Sequence, residues 1–176
     1  MALSQPGNLL GSLSLAINDR VEEAILEASG QPETGAAALV ALERLLDGPS
    51  IETLARAIGL TSSGTVRLND RLESAALAKR QVGSDGRVSH VVLTTAGRQV
   101  AGQVAAARGR VLADTLGVLS AGDRKQFGQL AGRLLGELVR TKRRHVRWTC
   151  RLCDTIACGR PDGRCPVAIA AQSLLP

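Results

Sequence analysis

Four cysteines, all that the 176-residue chain contains, lie within the sixteen-residue segment CRLCDTIACGRPDGRC: Cys150, Cys153, Cys158 and Cys165. The first two form a C-x-x-C pair, a spacing whose tight turn can present two thiolates to one metal ion. The last two are separated by a loop rich in the turn-forming residues Gly and Pro. This arrangement predicts a tetrahedral metal site with the four cysteines as ligands and zinc as the first expectation.

Two other uses of the cysteines stay open at the level of sequence. Four thiolates within so few residues, with Pro166 directly after the last, are similar to the motifs that hold an iron–sulfur cluster in ferredoxins. Reversible disulfides are the third use, with three pairings open to four cysteines. We expect a cytoplasmic protein because the N-terminal segment has no secretory signal, and this favours metal or redox chemistry over a disulfide framework.

The chain carries a net charge of +6 that is unevenly distributed. Residues 1–52 contain two basic and eight acidic residues, whereas from Arg140 onward there are eight basic and two acidic ones. Four basic residues lie beside or between the cysteines: Arg147, Arg151, Arg160 and Arg164. Their charge would offset that of a tetrathiolate site and favour the thiolate form. The basic back half predicts an anionic partner.

Composition and periodicity predict a mainly helical fold. Apolar residues make up 44% of the chain, with one Phe, one Trp and no Tyr, so the core must be built from small aliphatic side chains. No apolar run reaches the roughly 18 residues of a membrane span, so no membrane partner is expected. Helices are expected over 9–28, over about 35–46, from Ser50, from Thr61, over about 98–117 and from about 120 to 144.

A small β-hairpin is expected between the fourth and fifth helices. A turn is predicted at Gly83-Ser84-Asp85-Gly86, because these residue types favour turns and the flanking segments are rich in β-branched residues. The predicted hairpin has a basic tip. Two short helices joined by a tight turn and followed by a hairpin give the element order of a winged helix-turn-helix.

Residues 50–95 resemble the multiple-antibiotic-resistance regulator (MarR) family of bacterial transcription factors. The segment LTSSGTVRLNDRLE (60–73) is similar to the family's recognition helix, and these of its residues match: Arg67, Asp70, Arg71 and Leu72. The segment LAKRQVGSDGRVSHVVLTTAGRQV (77–100) is similar to the family's wing, with these matching residues: Asp85, Arg87, Leu93, Thr94 and Gly97. With the flanking long helices the resemblance covers about residues 8–144, so the cysteine segment is an addition to the usual family plan.

The resemblance implies a DNA-binding transcription regulator and not an enzyme, with the recognition helix in the major groove. The residues expected to contact DNA are Thr61, Ser62, Ser63, Thr65, Arg67, Arg71, Arg80 and Arg87. Short hydroxyls and free backbone N–H groups at a helix start suit phosphates and base edges. A guanidinium at a wing tip suits a narrow minor groove, and Asp85 is expected to hold Arg87 in place.

Some of these positions have a second interpretation. Arg71 could form a salt bridge or contact a phosphate, and Arg80 could be a strand-edge charge. Val66 and Asn69 depart from the family pattern, which bears on sequence specificity rather than on DNA binding.

Apolar stripes on 9–28 and 123–140 have no partner inside one winged-helix unit. Pairing two chains would bury them, so a homodimer on a pseudo-palindromic double-stranded operator is expected, with folding back within one chain as the alternative. The expected organisation is an N-terminal dimerisation helix over 8–30, a winged-helix domain over 35–97, C-terminal dimerisation helices over 98–144 and a four-cysteine extension over 145–170.

No catalytic triad, paired carboxylates or phosphate-binding glycine loop is suggested by the sequence. The sequence predicts a dimeric, sequence-specific transcription regulator, a repressor, whose DNA affinity responds to metal or redox state at the cysteines or to a small-molecule effector. The alternative is a metal- or iron–sulfur-carrying redox or interaction protein that uses its winged helix for protein contacts.

Overall fold

The computed structural model of the chain describes residues 4–82, 89–141 and 146–172, and for Ser89, Val146 and Arg147 it describes the backbone alone. The described elements are α1 (Gln5–Ser29), α2 (Glu33–Arg44), α3 (Ile51–Ile58), α4 (Ser62–Ser74), β1 (Ala78–Val82), β2 (Ser89–Leu93), α5 (Thr95–Gly117), α6 (Ala121–Thr141), α7 (Val146–Thr149) and α8 (Pro166–Gln172). The predicted fold class, mainly helical with one small hairpin, is confirmed.

Side-chain hydroxyls set the starts of several helices, whereas α2 begins after Pro32 without a side-chain cap. Ser50 accepts a hydrogen bond from the Thr53 N–H at 3.3 Å, so α3 begins where the sequence indicates. The helix expected from residue 98 begins earlier, at Thr95, because Thr94 caps it by accepting from the Gly97 N–H at 3.0 Å. α1 likewise begins before residue 9, because Ser4 caps it and a proline occupies its first turn.

The winged-helix unit, residues 33–97, is built around one apolar core. α2, α3, α4, the hairpin and the start of α5 enclose it, and its buried members include Leu39, Leu54, Ile58, Leu72 and Val91. Each of these five side chains is at most 2% exposed. Burial of aliphatic side chains from every element of the unit therefore fixes α4 against the hairpin.

The hairpin is antiparallel, and Ala78 pairs with Leu93 at its base. A third segment joins it, because the Val91 N–H donates to the Pro49 carbonyl at 2.9 Å and Ser50 forms a bridge with His90. The His90 side chain is partly buried, and its Nδ1 lies 2.6 Å from the Gly48 carbonyl oxygen. His90 therefore serves the attachment of the wing to the α2–α3 loop.

The apolar stripe expected on the first helix is buried in its C-terminal part and exposed in its N-terminal part. Val21 and Ile25 are buried in a second core with residues of α2 and α5. Leu10 and Leu13, in the preceding turns of the same stripe, are 53% and 42% exposed. Only the C-terminal part of α1 thus packs within the chain.

No helix in the described part of the chain is both long and apolar enough to cross a membrane.

Candidate nucleic-acid interface and cysteine cluster

Helix α4 presents a polar, basic face to solvent. Ser62, Ser63, Arg67 and Arg71 are exposed, and Val66 between them is 40% exposed. The helix starts at Thr61, whose hydroxyl oxygen accepts from the Gly64 N–H at 3.1 Å. The hydroxyls and guanidinium groups expected at this face are therefore placed on one accessible surface.

Thr65 requires a correction. It is fully buried, and its hydroxyl donates to the Thr61 carbonyl oxygen at 2.9 Å. In this position the side chain supports the first turn of α4 from inside and cannot present its hydroxyl to DNA. The expectation that Thr65 contacts DNA is wrong for this structure.

Asn69 lies on the buried side of the same helix. Its side chain is fully buried, and neither its amide nitrogen nor its amide oxygen has a hydrogen-bond partner among the described residues. A buried amide without partners costs roughly 1–3 kcal/mol. Its departure from the family's apolar residue therefore affects the packing of α4 and not the exposed face.

Arg80 of β1 is bound to α4 by ion pairs. Its guanidinium lies 2.6 Å from Asp70 and 2.6 Å from Glu73, and its backbone N–H also donates to Glu73 at 2.6 Å. The hydrogen bond to Asp70 raises the pKa of Arg80 above its usual value. Two carboxylates thus balance its charge, which favours the strand-edge interpretation over a phosphate contact.

The expected minor-groove contact and its support, Arg87 and Asp85, lie outside the described residues. The part of the wing motif that is described has a clear packing reason. A Cβ on Gly97 would lie 1.9 Å from the Leu77 carbonyl oxygen, so only glycine lets α5 start this close to the wing. The Thr94 hydroxyl caps α5 and donates to the Ala76 carbonyl at 2.7 Å.

The four cysteines come together in space. They line one cavity of about 340 Å³ between their own segment and α1, α5, α6 and α8. Cys150 and Cys165 are buried, Cys153 and Cys158 are partly buried, and all four are free thiols. Cys158 interacts with both Cys153 and Cys165, while its thiol donates to the Thr155 carbonyl at 3.3 Å.

No three His, Cys, Asp or Glu side chains of the described residues are arranged as a ready-made metal site. Burial raises the pKa of the Cys150 and Cys153 thiols, and burial together with Cys153 raises the pKa of Cys158 to about 11. As neutral thiols these groups are poor nucleophiles. The four cysteines line one cavity, and both their role as ligands and their metal stay predictions.

The positive charge near the thiols comes partly from an unexpected residue. Arg108 of α5 lines the cavity and lies close enough to Cys153 to interact with it electrostatically, and burial lowers the pKa of Arg108. Of the arginines expected here, Arg164 pairs with Asp162 and Arg151 with Glu33, whereas the Arg147 side chain is outside the described residues. Arg160 is near enough to Cys150 to act on its thiol. Arg108 gave no sequence signal because it is far from the cysteines along the chain.

No protein-family model and no curated protein matches this sequence. Solved structures do match. A MarR family protein from Bacillus stearothermophilus aligns with a TM-score of 0.68 and 24% identity, over 75% of this chain and 91% of that one. The transcriptional regulator PA3341 aligns with a TM-score of 0.59 and 28% identity, over 75% and 96%. A mutant of Staphylococcus aureus MepR bound to an oligodeoxyribonucleotide aligns with a TM-score of 0.57 and 19% identity, over 77% and 99%.

PA3341 is a transcriptional regulator and MepR is a transcription regulator of a multidrug efflux pump, which agrees with the expectation that the chain is not an enzyme. The alignments leave about a quarter of this chain without a counterpart. Over the remainder, the backbones superpose with TM-scores of 0.57 to 0.68. The chain therefore has the winged-helix fold of the MarR family of transcription regulators.

Proposed function

We propose that this chain is a dimeric, sequence-specific DNA-binding transcription regulator that acts as a repressor in the cytoplasm. The observation that carries the proposal is the exposed face of α4, with Ser62, Ser63, Arg67 and Arg71, on a winged-helix fold. A mutant of MepR with this fold is bound to an oligodeoxyribonucleotide. DNA is favoured over a protein partner because this face is basic and hydroxyl-rich rather than apolar.

The residues divide by the kind of contact they make. Ser62 and Ser63 stand at the start of α4, where the first N–H groups of a helix have no partner within it, and together these bind phosphate. Arg67, one turn further, reaches a base edge or the adjacent phosphate, and Arg71 reaches a phosphate. Arg87 on the wing adds the minor-groove contact.

Dimerisation is supported by apolar residues left uncovered in one chain. On α1 these are Leu9, Leu10 and Leu13, and on α6 they are Phe127, Leu130, Leu134 and Leu138, all at least 42% exposed. A second copy of the chain covers both sets at once. Two recognition helices would then face major grooves roughly 34 Å apart, which requires a pseudo-palindromic operator.

The cysteine cluster is proposed as the regulatory metal site, with Cys150, Cys153, Cys158 and Cys165 as ligands of zinc and an iron–sulfur cluster as the alternative. The support is the convergence of the four thiols on one cavity. Metal binding would replace the thiol hydrogen bonds to backbone carbonyls, and Arg108 would offset part of the thiolate charge. A small-molecule effector is a second input of this proposal.

The DNA-binding proposal is tested by selecting duplexes from a random pool and measuring affinity by fluorescence anisotropy. The wild type should enrich a pseudo-palindrome, and Arg67→Ala should weaken binding about 5- to 150-fold, the effect of losing one bidentate base contact. Arg110→Ala is the matched control, because this arginine is exposed on α5 away from the proposed face. Failure of any duplex to be enriched, or equal losses in the two variants, would refute the DNA-binding proposal.

The metal proposal is tested on protein purified without oxygen. Colourless protein with one zinc per chain supports zinc, and a brown iron- and sulfide-containing protein supports the cluster. The double variant Cys150→Ser/Cys153→Ser should lose the metal and change operator affinity. Unchanged metal content in that variant would remove these cysteines from the site.

A further inference from the structure

Helix α6 is attached to its own protomer through the cysteine-containing segment. We define the cysteine module as residues 146–172. Its helix α8 packs along α6, and α6 makes no comparably extensive contact with any other described helix or strand. Val139 of α6 is buried in one cluster with Cys150, Cys165, Val167 and Ala170. The proposed dimerisation helix is therefore held in place by the module that contains the four thiols.

The other side of the module contacts the turn of the helix-turn-helix. A Cβ on Gly59 would lie 2.7 Å from Cε3 of Trp148, so the indole ring lies directly against the Gly59 backbone. Gly59 ends α3 with φ +69°, and Thr61, two residues later, caps α4. Trp148 thus touches the turn that orients the recognition helix.

Arg151 reinforces this contact. Its guanidinium lies 3.6 Å from the centre of the Trp148 ring and donates to the Trp148 carbonyl at 3.0 Å. The same guanidinium donates to Glu33 of α2 at 2.6 Å, and its side chain is only 19% exposed. A largely buried, stacked ion pair of this kind holds the indole ring in one orientation.

Two more residues of the module reach the winged-helix unit. Leu152 packs against both of the chain's larger apolar cores, and Asp154 pairs with Arg44 at 2.9 Å. The contacting residues alternate with the cysteines along the chain, since Trp148, Arg151, Leu152 and Asp154 surround Cys150 and Cys153. A rearrangement of these two thiols around an ion must therefore shift the residues that contact the winged helix.

We infer that the cysteine module is a metal-dependent connector between the dimerisation helix and the helix-turn-helix, and that the contact of Trp148 with Gly59 transmits metal occupancy to the recognition helix. The inference rests on the proposed regulator function and specifies how its metal site acts. The metal-bound module fixes the two recognition helices at one separation. In the metal-free form the distance between the two recognition helices varies. DNA affinity therefore differs between the two forms by about 5- to 150-fold.

Trp148 is the sole tryptophan of the chain, so it reports on the connector directly. Full-length protein freed of metal with a chelator and a reductant is titrated with Zn²⁺ while tryptophan emission is recorded. Emission should change until one Zn²⁺ per chain is bound. Affinity for a selected duplex, measured before and after the titration, should change by at least about 5-fold.

The variant Trp148→Ala keeps all four thiols and separates metal binding from its transmission. It should bind one Zn²⁺ per chain, yet its zinc-bound and metal-free forms should differ in DNA affinity by less than about 2-fold. Trp148→Phe retains a ring against Gly59 and should recover part of the response, which guards against misfolding of the alanine variant. Ile156→Ala is the matched control, because this residue of the module is 79% exposed.

The outcomes separate the inference from the function on which it rests. A full zinc response in Trp148→Ala, or zinc binding without a change in Trp148 emission, would overturn the connector while leaving a DNA-binding regulator in place. Absence of zinc binding by the wild type would overturn the metal dependence. A wild type that binds no DNA in either form would overturn the proposed function, and the emission titration would still show whether the metal moves Trp148.

Discussion

The winged-helix unit and the cysteine module are stabilised by different means. Of the described residues, the core of the winged helix contains fourteen buried members, thirteen from six elements and Leu77 from the loop before β1. The cluster of the module contains five, of which two are cysteines and one, Val139, belongs to α6. The two helices of the module are four and seven residues long, so neither could form a stable helix alone.

This difference explains where the cysteines occur. A segment well below about 40 residues cannot bury enough apolar surface to offset its conformational entropy, and small units of that size usually require a metal, disulfides or a partner. The winged helix has an apolar core and contains no cysteine. The thiols thus lie in the region where apolar burial is insufficient. The same region contacts α2, α3 and α6.

Removal of the proposed metal should produce the largest effect and should separate the two regions. Structural zinc contributes about 10–16 kcal/mol to the folding of zinc-finger peptides, far more than the few apolar contacts of the module. After chelation under reducing conditions, residues 146–172 should become the first site of proteolysis while residues 33–97 stay resistant. Mass spectrometry of the fragments measures both.

Protein incubated with chelator already saturated with Zn²⁺ is the control for this prediction. An unchanged cleavage pattern after complete metal removal would mean that apolar packing alone holds the module, so that both regions are stabilised by the same means.

A core substitution in the winged helix should have the next largest effect. Leu54 of α3 is fully buried among α2, α4 and the hairpin, so Leu54→Ala removes its transfer energy and leaves a cavity. The free energy of unfolding should fall by about 2–5 kcal/mol, measured by urea denaturation. Leu10→Ala on the exposed stripe is the control and should change it little at concentrations where the chain is monomeric. Equal losses in the two variants would contradict the assigned core.

The winged helix could be predicted from sequence because its signals are local. Hydroxyl caps, apolar periodicity and a glycine-rich turn each act within a few residues, and the helix starts at Ser50 and Thr61 follow from them. Thr65 is buried, although its polar side chain in the first half of α4 favours a DNA contact. Its spacing of three and seven residues from the buried Leu68 and Leu72 already placed it on the apolar stripe.

The surroundings of the cysteines could be predicted only in part. The spacing of the thiols indicated that they converge, whereas the residues that position them are distant in sequence. Arg151 pairs with Glu33 across 118 positions, and Arg108 comes from a helix with no motif that relates it to the cysteines. Trp148 is an isolated aromatic residue without periodic context. Contacts of this kind follow from tertiary packing and leave no pattern in a single sequence.

A methyl group at the junction of the wing and α5 should destabilise the winged helix by an intermediate amount. In Gly97→Ala the new Cβ meets the Leu77 carbonyl oxygen, a backbone atom that cannot turn aside. The free energy of unfolding should fall by about 1–3 kcal/mol, measured by urea denaturation, because α5 and the hairpin must separate. Gly109→Ala, where nothing outside the adjoining backbone of α5 lies within 4 Å of the new methyl group, is the control and should stabilise α5 slightly. Similar behaviour of the two variants would show that the close approach at Gly97 is not required.

The smallest effect is expected for a substitution of Arg80. Its result shows whether this arginine supports the fold or contacts DNA. Arg80→Ala removes ion pairs with Asp70 and Glu73 at a partly exposed site, and such pairs contribute about 0.2–1 kcal/mol each. The free energy of unfolding should fall by about 1 kcal/mol, while the dependence of DNA affinity on salt should keep its slope. Loss of a phosphate contact would instead reduce that slope by about 0.9, as expected for Arg71→Ala, which is the positive control. A reduced slope in Arg80→Ala would show that two carboxylates do not prevent this guanidinium from binding phosphate, and that the DNA-binding surface extends from α4 onto β1.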